Sequence, residues 1–479
     1  MNEYTQFVKR IGVVGIANIL ISLSGLIFIP IITKNFSTAD YGVWAQVNTT
    51  IALIPNIVNL GLPYTMVRFL SFETDKTKIS ESFYSMLALV LLSTMIMVGL
   101  MFIFSNQIAE ALFDGNMQIM YIVIVISFLA CMNLMFLSFF RTFQRINHYS
   151  LFLVLQSYIG VGICIILTLY HQPIEIVVLG LLSGYLFVFI VMLIMILFYL
   201  GGSFNKFKNL KEELKFAIPT IPSNISSWVV DSSDKYVIGI ILGSGMVGCY
   251  SPGYSLGSIL LMLLSPFAIL LPAVLPEYFE KGDFNKVNIF LSYSMKYYLL
   301  LAIPAAVGMS LLSKSLLICL TTWEIASQGY LITPIVAIGA VFMGIYGITN
   351  NILILEKKTN ILGRLWISVA VLNVVFNLIA VPYLGIYGAG LVTLLCYIIA
   401  FAVTIIYSKK YSKLPFDYQA IGKILIASII MGIFVKIANP AGFVNIFIVI
   451  LIAIAIYFVA IFLLKGINKK EIDMLKEMI

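Results

Sequence analysis

The stretch "WVVDSSDKYVIG" at residues 228–239 puts Asp231, Asp234 and Lys235 into an otherwise apolar run. Side chains of these types bind anions or cations, or carry protons, and a helix facing lipid has no use for them. Each charge costs about 2.5–3.5 kcal/mol at the centre of a lipid-facing helix, so three together require protein or water beside them. Helical spacing says which way they look. Asp231 and Lys235 are four residues apart and can pair, and Asp234 is three from Asp231. Ser227 and Asn224 extend this stripe backwards, while Val229, Val237 and Ile240 take the opposite side. At the helical rise, Asp231 sits roughly 16 Å below the outer end of its span and Lys235 roughly 10 Å below it. Pro219 and Pro222, near the other end, can bend the helix. Two readings stay open. In one, a buried pair locks this helix to a neighbour. In the other, the stripe walls a cavity where Lys235 attracts an anionic substrate and the carboxylates tune it or carry a coupling proton.

The chain that must position this stripe has 479 residues, 61% hydrophobic and 10% charged, against about 25% charged in soluble domains. Apolar runs long enough to cross a bilayer recur throughout, which predicts an all-α integral membrane protein. A membrane β-barrel would show short alternating strands instead. Cutting at polar and Pro/Gly breaks predicts fourteen transmembrane helices. The first six fall at roughly 11–33, 41–66, 82–104, 117–140, 150–170 and 174–200, and the next three at roughly 215–242, 250–275 and 291–313. The last five fall at roughly 329–355, 363–382, 386–407, 420–437 and 441–464. "MNEYTQFVKRIGVVG" leads into a full span without a small-residue cleavage site, so it reads as the first of these helices rather than a signal peptide.

Positive charge orients the bundle. One side collects Lys9 and Arg10; Arg68, Lys76 and Lys78; Arg141 and Arg145; Lys206, Lys208, Lys211 and Lys215; Lys281, Lys286 and Lys296. It also collects Lys357, Lys358 and Arg364; Lys409, Lys410, Lys413 and Lys423; and Lys465, Lys469, Lys470 and Lys476. The other side receives only Lys34, Lys314 and Lys436. Such asymmetry predicts that both termini are cytoplasmic. It also accounts for the net charge of +8 without any nucleic-acid partner. The loops are short and no G-x-x-x-x-G-K-[ST] occurs, which leaves no nucleotide-binding or catalytic extramembrane domain. Cys131, Cys164, Cys249, Cys319 and Cys396 lack CxxC spacing, and His148 and His171 lie in opposite loops. No metal, cofactor or catalytic residue is predicted.

An internal repeat orders the spans. "STADYGVWAQ" (37–46) matches "GSGMVGCYSP" (243–252) with Gly42 over Gly248. "QRIN" (144–147) parallels "KKTN" (357–360), and "HQPIEIVVLGL" (171–181) parallels "VPYLGIYGAGL" (381–391). Their common order predicts two parallel six-helix halves, 1–205 and 206–410, around a central cavity, an architecture suited to alternating access. Residues 411–479 add helices thirteen and fourteen, as lipid-facing or groove-lining surface, and a cytoplasmic tail.

Several segments resemble the bacterial oligosaccharide flippases. These are "IPIITKNFSTADYGVWAQVNTTIALIPNIVNLGLPYTMVRF" (29–69), "DKYVIGIILGSGMVGCYSPGYSL" (234–256), "LPAVLPEYFEKGDFNKV" (271–287) and "ILEKKTNILGRLWISVAVLNVVFNLIAVPYLGIYGAGLVTLL" (354–395). The resemblance is to the polysaccharide-export group of the multidrug/oligosaccharidyl-lipid/polysaccharide exporter superfamily, as in O-antigen-type flippases. It implies a transporter of the bacterial plasma (inner) membrane rather than an enzyme. Its substrate would be an undecaprenyl-diphosphate-linked oligosaccharide, moved from the cytoplasmic to the outer leaflet for surface polysaccharide assembly. Glycosyltransferases and a polysaccharide polymerase would be its partners. Lys235 would serve the pyrophosphate, with Lys34 and Arg68 beside it, while Asp231, Asp234 and Asn224 complete the candidate site. The family often carries Arg where this chain has Lys34 and Lys235, and Lys keeps the charge but loses the bidentate fork. A drug or metabolite exporter of the same fold is the alternative, expected with twelve helices and an acidic cation site. A polymerase usually has a long outer loop and an acyltransferase an intramembrane His, and neither feature appears.

Overall fold

In hydrocarbon an apolar run has no water to satisfy its backbone, so it closes its hydrogen bonds internally as a helix. Among the residues that the computed structural model describes (3–201, 210–412 and 416–466), every regular element is helical. Lys206, Lys208, Lys413, Lys469, Lys470 and Lys476 of the charge pattern lie outside the described residues, as do the side chains of Lys9, Arg10 and Lys211. The chain packs as two compact units, Met1–Gly248 and Cys249–Ile479.

The first unit opens with α1 (Glu3–Asn35), α2 (Thr38–Val58) and α3 (Leu62–Leu70). It continues through α4 (Lys76–Ile103), α5 (Ser105–Leu112), α6 (Met117–Thr142), α7 (Ile146–Leu169) and α8 (Ile174–Leu200). α9 (Leu210–Ala217), a short 3-10 turn and α10 (Ile221–Leu242) complete it, and α11 (Ser244–Ser258) starts at its end. The "STAD" motif caps α2 on both sides. The Ser37 hydroxyl accepts from the Asp40 amide at 3.1 Å, and the Asp40 carboxylate accepts from the Ser37 amide at 3.2 Å. The second predicted span is bent. Leu60 and Gly61 adopt positive φ and Pro63 starts the next segment, so α2 and α3 meet at 52°. α6 is buried along most of its length and forms the axis of this unit, with Phe136, Phe139 and Phe140 in its core.

The second unit contains α12 (Ser265–Glu280), α13 (Phe284–Leu320), α14 (Trp323–Gly329), α15 (Ile332–Leu355), α16 (Thr359–Ser408), α17 (Tyr418–Ala438) and α18 (Phe443–Leu463). Buried tyrosines tie it together through backbone carbonyls. Tyr298 donates to the Ala340 oxygen at 2.9 Å and Tyr457 to the Leu300 oxygen at 2.8 Å. α17 and α18, the helices outside the sequence repeat, pack on α13.

Among the described residues, eleven helices are long and apolar enough to span a membrane, or twelve if the bent α2–α3 pair is one span. Fourteen were expected, and the difference falls at two places. α10 carries Asp231, Asp234 and Lys235 and is not among those spans. α16 runs for 50 residues, roughly 75 Å of helix and far more than a bilayer needs. Its backbone breaks at Gly385 (φ 60°, ψ −146°), between the predicted spans 363–382 and 386–407. Almost only glycine occupies that conformation. We expect Gly385→Ala to destabilise the purified protein by about 1–3 kcal/mol, seen as a melting temperature lowered by a few degrees. Gly363→Ala, in open space on the same helix, should leave the melting temperature unchanged or slightly raised, because Ala favours a helix over Gly.

Candidate functional site

α10 packs along α2, and this contact decides which of its side chains are buried. Ser226, Val230, Ser233, Asp234, Val237 and Ile238 form the covered stripe, and Asp234 is 0% exposed. Asn224, Ser227, Asp231 and Lys235 lie on the adjoining face and are half-buried, while Ile240 and Ile241 are exposed. The sequence set Val237 opposite the charges, yet it is buried on the same side as Asp234. The reason is angular. A step of three residues turns Asp234 about 60° away from Asp231, towards α2.

Polar groups of α2 meet this face. The Tyr236 hydroxyl and the Thr50 hydroxyl share a hydrogen bond of 2.8 Å, and Trp228 packs 5.6 Å from the Tyr236 ring. Gly239 lets the Gln46 side chain come so close that a Cβ would overlap it. Gln46 Oε1 and Trp228 Nε1 are both buried without a hydrogen-bond partner among the described residues. Buried polar atoms are usually satisfied, so an acceptor and a donor left over single out this interface as a candidate site. Sequence reasoning passed over Gln46, Thr50, Trp228 and Tyr236. The polar run "AQVNTT" in an apolar helix was the available signal.

Lys34 and Arg68 are exposed and stand in the last turns of α1 and α3, where a cation also suits the helix dipole. They do not come together. The whole of α2 and α3 runs between them, roughly 40 Å of helix even after the bend. Lys34 shares its end of the unit with the turn between α10 and α11, whereas Arg68 lies at the opposite end.

At that shared end two glycines meet. A Cβ on Gly42 would overlap the carbonyl oxygen of Ser244, and a Cβ on Gly248 would overlap the carbonyl oxygen of Thr38. Thr38 precedes Gly42 by four residues, as Ser244 precedes Gly248, and the two pairs are equivalent in the sequence repeat. The starts of α2 and α11 therefore cross through matched positions, backbone against backbone. The Asp114 carboxylate strengthens the join by accepting from the Ser244 hydroxyl at 2.5 Å.

The second unit holds further polar and apolar features. Asn377 donates to the Asn373 amide oxygen at 3.0 Å, both side chains are 0% exposed, and Asn377 Oδ1 is buried without a partner among the described residues. Lys296, grouped by sequence with the cytoplasmic charges, is buried within α13. A groove of about 560 Å³ runs over α17 and α18, lined entirely by apolar residues such as Ile430, Ile452, Ile456, Val459 and Leu463. Lys314, near the lysine-poor end, lies 5.4 Å from the Trp323 ring and 5.6 Å from the Tyr330 ring.

Comparison with known proteins places this geometry. The profile of the family described as polysaccharide biosynthesis protein matches residues 7–276, more than half of the chain, and the MatE profile matches residues 219–379. The probable low-salt glycan biosynthesis flippase Agl15 of Haloferax volcanii is 23% identical over 226 residues, 47% of this chain and 48% of that protein. An uncharacterized membrane protein of Methanocaldococcus jannaschii is 28% identical over 223 residues, 44% of this chain and 43% of that protein. The chain thus spans about half the length of the curated relatives it matches. Among solved structures, the lipid II flippase MurJ in an inward closed conformation superposes with TM-score 0.76 at 18% identity, covering 93% of this chain and 97% of that one. An inward-facing multidrug resistance MATE family transporter of the MOP superfamily gives TM-score 0.64 at 15% identity, covering 82% and 95%. These likenesses establish a multi-pass membrane protein with the fold that flippases and MATE transporters share.

The glycine crossing is open to test. In Gly248→Val the starts of α2 and α11 should move apart by about 2 Å or more, the range over which side chains set interhelical distance. Spin labels at Asn35 and Met246 would read this separation, and Gly245→Ala, which meets nothing within 4 Å, is the control.

Proposed function

Because the chain belongs to the polysaccharide biosynthesis protein family, we propose that it flips lipid-linked oligosaccharides across its membrane by alternating access. The substrate is an undecaprenyl-diphosphate-linked repeat unit, passed from the cytoplasmic to the outer leaflet of a bacterial inner membrane for surface polysaccharide assembly. Glycosyltransferases supply it and a polymerase consumes it. The repeats at 1–205 and 206–410 are the moving halves.

The observation that carries this reading is the charged stripe of α10, with Asp234 fully buried and Asp231 and Lys235 half-buried in a membrane helix. A half-buried lysine at the edge of a helix contact can exchange partners, and a pyrophosphate arriving with the substrate would supply an anion for it. Asn224 and Asp231 share the half-buried face of Lys235, while Asp234, fully buried against α2, anchors the helix behind them. They hold the lysine extended and offer polar contacts to sugar hydroxyls. Lys34 and Arg68, at opposite ends of their unit, serve successive positions of the pyrophosphate rather than one. The apolar groove over α17 and α18 suits a polyprenyl tail, which needs no polar partner. No covalent bond is made or broken. Binding energy is spent on moving a charged headgroup through hydrocarbon.

The two carboxylates favour a second reading, export of an organic cation, and the MatE match includes α10. Reconstituted vesicles decide between the two. We expect Lys235→Ala to insert normally and to translocate a defined lipid-linked glycan about ten-fold or more slowly, the size of one lost charge-assisted hydrogen bond. Lys235→Arg should retain transport. Normal glycan translocation by Lys235→Ala would remove Lys235 from the site, and cation export without glycan transport would replace the function.

A further inference from the structure

Glu213 is a carboxylic acid buried outside the membrane spans. It lies on α9, outside the spans and in the connector that leads through a 3-10 turn into α10. It is 2% exposed, and its Oε2 is buried without a hydrogen-bond partner among the described residues. The Ser82 hydroxyl of α4 bonds the carboxyl. α9 rests on α3 and α4, with Ala217 in the core of the first unit and Leu214 packed against it. Just beyond, Gly61 fits against the Ala217 carbonyl and the Thr220 hydroxyl with no room for a Cβ. The segment is seated closely on the end of the unit that bears Arg68.

We propose that Glu213 is a proton-binding site whose occupancy sets how firmly α9, and through it the start of α10, is held against α3 and α4. An ionised carboxylate with a bare buried oxygen is costly, whereas the neutral acid needs one donor and offers its own proton. Protonation thus favours the seated segment and ionisation releases it.

Around it, α3 carries Tyr64 and Arg68, α4 carries Lys76, Lys78, Glu81 and Tyr84, and α9 itself carries Lys211, Glu212 and Lys215. The 3-10 turn, Ile218–Thr220, has no titratable group. Burial alone pushes the Glu213 carboxyl up to about 7 from 4.5, and only the Ser82 hydroxyl opposes it. The sign follows. The seated form binds the proton more tightly, so its advantage is full below pH 4.5 and is lost as pH rises to about 7. Within that window each pH unit weakens the seating about ten-fold. α9 feeds directly into the helix bearing Asp231, Asp234 and Lys235, so a proton here acts on the candidate substrate helix without touching substrate.

The part this latch plays in transport rests on the flippase reading, but its test needs no substrate. The full chain in lipid nanodiscs would be followed by hydrogen–deuterium exchange over residues 210–220, corrected for the intrinsic pH dependence of exchange. In the wild type, opening should rise about ten-fold per pH unit towards pH 7 and then level off. Glu213→Gln, isosteric and neutral, should stay closed at every pH. Ser82→Ala should move the plateau to higher pH, because the bond that favours the ionised form is gone. A wild-type profile flat with pH, or a Glu213→Gln profile that follows the wild type, would overturn the proposal whatever the protein transports.

Discussion

Two helix starts that carry no side chain at their point of contact set the arrangement of the first unit. Gly42 of α2 lies on the Ser244 carbonyl and Gly248 of α11 on the Thr38 carbonyl. This crossing pins the turn after α10 to the beginning of α2, and α10 must then run down the flank of α2. From that single constraint follow the burial of Asp234, the pairing of Tyr236 with Thr50, and the meeting of Gly239 with Gln46. Bulkier residues at the crossing would tilt α10 away, and the charged stripe would face lipid, where it is strongly disfavoured.

The charges are placed with the same economy. Asp234 sits inside a helix–helix contact and the rest of the stripe stands at its edge. Asp234 and Asp231, the fixed and the responsive carboxylate, are thus separated by about one sixth of a turn. The first holds the helix in register, while the second stays close enough to water or substrate to change partners. Of the two readings that the sequence left open, the packing lock describes the buried face of this helix, and the half-buried face is the one that the proposed cavity wall would use.

How much of this was legible beforehand depended on whether a pattern was local. Continuous apolar runs announce membrane helices because no other structure satisfies the backbone there, and the repeat aligned Gly42 with Gly248 before any contact between them was known. The bend at Gly61 was missed because Leu60 and Gly61 interrupt an apolar run without adding polarity. Lys296 was grouped with the cytoplasmic charges because it falls near the end of the predicted span 291–313, where charge is by default a topological anchor; α13 starts earlier, at Phe284, and Lys296 is buried within it. Glu213 lies in the charged run "KEELK", where nothing in the sequence singles it out. Only tertiary packing against Ser82 distinguishes it from Glu212 beside it.

A joint made of glycine and carbonyl has no rotamers to untangle. Interdigitated leucines must leave their wells in concert before two helices can part, but a bare backbone seam slides or lifts without that activation step. It also buries little apolar area, so it stores little free energy in the joined form. The Gly42–Gly248 seam is therefore a low-friction bearing. It gives high precision when seated and a small barrier to release, and the balance between joined and parted forms is set by whatever else binds the helices it connects.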